Sequence, residues 1–63
     1  MYMSEKAKTC VIAIDAECKN SRNNRFNALI YDQSAIKELI EMGVVEHVVT
    51  GIIEYWVYHP EEL

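Results

Sequence analysis

Two carboxylates with one residue between them, Asp15 and Glu17, close the apolar run that begins at Val11. On an extended strand, residues i and i+2 point to the same side, so the pair could hold one divalent cation between them. Cys10 and Cys18 bracket the run, and His47 and His59 lie far downstream. The two histidines stand twelve residues apart, which matches no metal-ligand spacing to each other or to the cysteines. A further cluster, Lys19, Arg22 and Arg25, is basic enough to touch phosphates. The two glycines, Gly43 and Gly51, do not make a phosphate-cradling loop.

The segment VIAIDAE resembles the first motif of the DEDD-type 3′–5′ exonucleases, an apolar strand ending in Asp-x-Glu. The resemblance implies that Asp15 and Glu17 are ligands of catalytic metal ions and that the chain is related to metal-dependent nucleases. It covers seven residues, Val11 to Glu17. A two-metal centre needs further ligands, and no second cluster of aspartates follows in the sequence. The preferred reading is therefore that Asp15 and Glu17 are solvated residues at a strand end, with no catalytic residue, no metal and no cofactor.

Cys10 to Cys18 alternates with period two. Cys10, Ile12, Ile14, Ala16 and Cys18 would line one face; Thr9, Val11, Ala13, Asp15 and Glu17 the other. In such a strand the cysteines would be about 26 Å apart, far beyond disulfide reach. They are expected to be reduced, in a cytoplasmic protein. Lys19 to Asn24 suits a hairpin loop, because asparagine tolerates left-handed backbone angles. Arg25 to Tyr31 would return as a second strand. Asp32 or Ser34 would cap a helix carrying Ala35, Ile36, Leu39 and Ile40 at helical spacing, with Gly43 as its left-handed stop. Residues 44–58 allow one long strand from His47, bulged at Gly51, or two strands turning at Thr50-Gly51. The first is preferred. Pro60 would end the strand. Residues 1–7 read as a frayed leader and 60–63 as a tail.

The expected architecture is thus α+β, a single β-β-α-β domain with a three-stranded sheet of order 2-1-3. One helix would pack on one face, and a right-handed crossover would join the second and third strands. One helix covers one face only. The other would carry Trp56 and Tyr58 with Val11 and Ala13, or else Tyr55, Ile53 and Tyr31.

Composition narrows the function classes. The chain has 63 residues, 51% of them hydrophobic, and a net charge of −4. Its apolar content argues against disorder. Met1 to Lys8 lacks the apolar core of a secretory signal, and no apolar run is long enough to span a bilayer. Residues 1–31 hold five basic side chains against three acidic; residues 32–63 hold one against seven. An acidic chain is not steered toward phosphate backbones. A domain this small has little core to spare, and a bare apolar face marks an interface. These observations predict a non-enzymatic protein-binding regulatory module acting by occlusion or assembly, with Trp56, Tyr58, Ile52, Tyr55, Val11 and Ala13 as partner-binding residues. The expected partners are a second copy, as a homodimer, or another protein. Size and charge are shared with small bacterial and phage-encoded regulators such as nuclease inhibitors and antitoxins. The alternatives are a nuclease-like fragment using Asp15 and Glu17, or a nucleic-acid binder using the Lys19–Arg25 loop.

Overall fold

A computed structural model describes residues 3–63. The chain is α+β, with two helices and a three-stranded antiparallel sheet. The first element is a helix, not a strand: α1 spans Glu5–Ser21. It buries Ala7, Cys10, Val11, Ile14 and Cys18, one stripe at helical spacing. Ser4 caps it, its Oγ accepting the Ala7 N–H at 3.2 Å. Glu5 in the first turn and Lys19 in the last suit the helix dipole. Met1 and Tyr2 of the expected leader lie outside the described residues. The rest of that leader is structured: Met3 packs on the core and Ala7 is fully buried.

Arg22, in the left-handed region at φ 56°, ends α1. The expected second strand shrinks to β1, Arg25–Phe26. Asn27 then diverts the chain, because its side chain accepts the Leu29 N–H at 3.1 Å and starts a 3-10 turn over Ala28–Ile30. Helix α2, Gln33–Glu41, lies where the sequence predicts it. Asp32 caps it through the N–H groups of Ser34 and Ala35 at 2.9 and 3.1 Å. Gly43, at φ 82°, stops it. The Gly43 N–H bonds Ile40 and the Val44 N–H bonds Leu39, at 3.1 and 3.0 Å, with Val44 and Leu39 both fully buried. This is a Schellman stop with its apolar contact.

The long strand from His47 is instead a hairpin, β2 (Val45–Thr50) and β3 (Ile53–Tyr58). Thr50 pairs with Ile53, leaving Gly51 and Ile52 as a two-residue loop. Gly51 has φ 59° and Ile52 does not enter the left-handed region, the pattern of a II′ turn, which needs glycine first and suits the strand twist. Pro60 ends β3 as expected, opening a single 3-10 turn over Pro60–Glu62.

The order is therefore α-β-α-β-β rather than β-β-α-β, and the sheet runs β1-β3-β2. The central strand is β3, not Cys10–Cys18. Two helices, not one, cover the same sheet face. The core joins the α1 stripe and Ala35, Ile36 and Leu39 of α2 to Phe26, Val45, Trp56 and Tyr58 of the sheet. Ser4 staples the helices together: its N–H and Oγ both donate to Glu38, at 2.9 and 2.7 Å.

Candidate interaction surface

A helix changes what Asp15 and Glu17 can do. Each residue turns the chain by about 100°, so i and i+2 point nearly opposite ways. Asp15 accepts the Tyr58 hydroxyl at 3.0 Å and Lys19 Nζ at 2.9 Å. Glu17 instead accepts the Tyr31 hydroxyl. These contacts hold the Asp15 carboxyl below its ordinary range, through Lys19 first and Tyr58 second. Burial, reinforced by Asp15, pushes the Tyr58 hydroxyl up to about 12. Burial and then Glu17 push Tyr31 up as well. The two acids thus tie α1 to the core through separate tyrosines and share no cation site. Among the described residues, no group of three or more His, Cys, Asp or Glu side chains could hold a metal.

The other reactive side chains are also engaged. Cys10 and Cys18 are free and buried in the α1 stripe. Eight residues of helix set them about 12 Å apart, still outside disulfide range. Burial raises both thiols, with Asp32 adding to the effect at Cys10 and Glu17 and Asp15 at Cys18. His47 stacks on Trp56, with ring centroids 4.8 Å apart, and meets Glu54 at 3.2 Å. His59 lies between two carboxylates, Nε2 to Glu46 and Nδ1 to Glu61, each at 3.0 Å. These two contacts raise its pKa, Glu46 first. Of the basic cluster, Lys19 is paired with Asp15, while the guanidinium of Arg25 sits 4.0 Å from the centre of the Tyr55 ring.

Antiparallel register decides which sheet residues share a side. One face carries Phe26, Trp56, Tyr58, Val45, His47, Val49 and Glu54. It lies under the helices at its base: Tyr58 is 2% exposed and Trp56 9%. The opposite face is built in three rows. Arg25, Val57 and Glu46 form the first, Tyr55 and Val48 the second, Ile53 and Thr50 the third. No residue of these rows is buried, and Ile53 is 57% exposed. Neither helix reaches this side.

The six residues expected at an open face are thereby divided. Trp56, Tyr58 and Val11 are core, because the helices cover the face that Trp56 and Tyr58 share. Ala13 is exposed on α1 and lines a shallow groove with Thr9, Cys10 and Ile30. Ile52 is fully exposed at the hairpin tip. Tyr55 lies on the open face. Of the alternative set, Ile53 joins Tyr55 there, whereas Tyr31 packs edge-on to Phe26 with ring centroids 6.0 Å apart. Arg25, Glu46, Val48, Thr50 and Val57 complete the open face; the sequence pattern singled out Arg25 only as part of a phosphate-touching loop and none of the other four as a site residue. The signal for Glu46, Val48 and Thr50 was Gly51 as the first residue of a two-residue loop, which fixes the β2–β3 pairing; Arg25 is placed by the separate pairing of β1 with β3.

No protein-family model matches the chain, and no significant match to it was found among curated proteins or solved structures.

Proposed function

We propose that the chain is a small non-enzymatic protein-binding regulatory module, inhibitor- or antitoxin-like in acting by occlusion or assembly, and that it self-associates as a homodimer. The observation that supports this reading is the uncovered sheet face, on which Val48, Ile53, Tyr55 and Val57 form a contiguous apolar patch beside the exposed Ile52 tip. Apolar side chains standing together on one side of a sheet favour burial against a partner. Tyrosine beside arginine is a composition enriched where interfaces concentrate their energy. Catalysis is no part of the proposal: Asp15 and Glu17 bond separate tyrosines, Cys10 and Cys18 are buried, His47 stacks on Trp56 and His59 lies between Glu46 and Glu61.

The test is the mass of the full chain by sedimentation equilibrium over a range of concentrations, with Val48→Asp as the comparison. A mass that rises with concentration in the wild type, and less in Val48→Asp, supports the reading. A monomer throughout, with no protein captured from the source cell in a Val48-dependent way, refutes it.

A further inference from the structure

We infer that the occupant of the open sheet face is a second copy of the chain, packed face to face about a two-fold axis along β3, with Arg25 of each protomer against Glu46 of the other. This rests on the protein-binding reading above and specifies its partner and geometry.

Arg25 on β1 and Glu46 on β2 flank Val57 of β3 at the same level. Neighbouring strands are about 4.8 Å apart, so the two charges stand on opposite sides of the central strand, about 10 Å apart at their backbones. Each has capacity to spare. Arg25 makes no ion pair among the described residues, its guanidinium resting on the Tyr55 ring. Glu46 gives Oε1 to His59, and Oε2 makes no hydrogen bond or ion pair among the described residues.

A two-fold axis lying in the face along β3 exchanges left and right while keeping each row level. It therefore sets Arg25 opposite the partner's Glu46, and Glu46 opposite the partner's Arg25. The apolar side chains of β3, namely Ile53, Tyr55 and Val57, meet their own copies on the axis. An axis across the strands would instead set the charged row against the uncharged third row, Ile53 and Thr50, and leave both charges without partners. Charge placement thus selects one of the two isologous face-to-face packings. Strands of the two copies then lie nearly aligned, as twisted sheets pack. The ion pairs fall at the rim and the tyrosines at the centre, the usual division of an interface.

The decisive experiment is charge exchange between copies, read by sedimentation equilibrium with circular dichroism as the check on folding. Arg25→Glu and Glu46→Arg each create two like-charge contacts in a homodimer. Each is expected to weaken dimerisation at least about tenfold. An equimolar mixture of the two variants regains both pairs, and is expected to restore the dimer. A misfolded variant would not be rescued by mixing. A wild-type dimer unmoved by Arg25→Glu, or single variants not restored by mixing, overturns the inference while leaving the protein-binding reading in place. Pairing of two β2 edges would give the first of those outcomes, since Arg25 lies at the opposite edge of the sheet. A wild type that stays monomeric overturns this inference and the self-association within that reading together.

Discussion

Two acidic residues of α1, Asp15 and Glu17, make tertiary contacts that leave no mark on the sequence pattern. Asp15 serves Tyr58, forty-three residues away, and Glu17 serves Tyr31. Because the folded-state pKa of Asp15 is depressed, its contribution is present above the unfolded carboxylate value and is lost as pH falls through the folded one. Tyr58→Phe should therefore lower the thermal midpoint at neutral pH, and the difference from wild type should shrink on acidification. His59 works with the opposite sign. Its pKa is raised by Glu46 and Glu61, so its contribution is full below the unfolded value of about 6.5 and is lost as pH rises through the folded one. A His59→Gln variant should differ most from wild type in mildly acidic solution and converge with it in alkali, as measured by urea titrations across pH. The cysteines give a third measurement. Buried and with raised pKa, both should react slowly with a disulfide reagent in the folded chain and rapidly in denaturant.

At the scale of elements, the sequence was legible where local chemistry had one meaning. Asp32 and Gly43 bound α2 as caps should, and Leu39 with Val44 closes its stop. It misled where two periods coincide. Cys10, Ile14 and Cys18 lie on one side of a strand and also, at i, i+4 and i+8, on one side of a helix. Ala7 and Val11 complete the helical stripe, and the alanines, lysines and glutamates between them are helix formers depleted in strands. Ser4, three residues before Ala7, was the available cap. The hairpin was obscured for another reason: an Asn-Gly turn is conspicuous, whereas a II′ turn shows only a glycine in its first position. If α1 is the spine of the core, Ile14→Ala, at a fully buried site, should cost about 2–5 kcal/mol. Chemical denaturation of the two proteins measures it.

Over the whole molecule, both helices crowd one side of the sheet, and the hairpin runs on beyond them to an exposed tip. The candidate surface could not be read from composition, because its first row joins Arg25 of β1 to Val57 and Glu46 of the distant β2–β3 hairpin. Even the central strand was misplaced until the pairing was known. Yet the reason for expecting a bare face survives the change of topology. Two helices on one side leave the other as open as one helix would. A core of this size has a small margin, so burial of the open face should couple folding to association. Ligation of the native state by its own copy stabilises it by mass action. The thermal midpoint of the wild type should therefore rise with protein concentration. Tyr55→Ser, which removes the central ring and the support beneath Arg25, should flatten that dependence while leaving the midpoint in dilute solution nearly unchanged. A midpoint independent of concentration in both proteins would mean that the face stays solvated, and that these 63 residues fold without the help of a second copy.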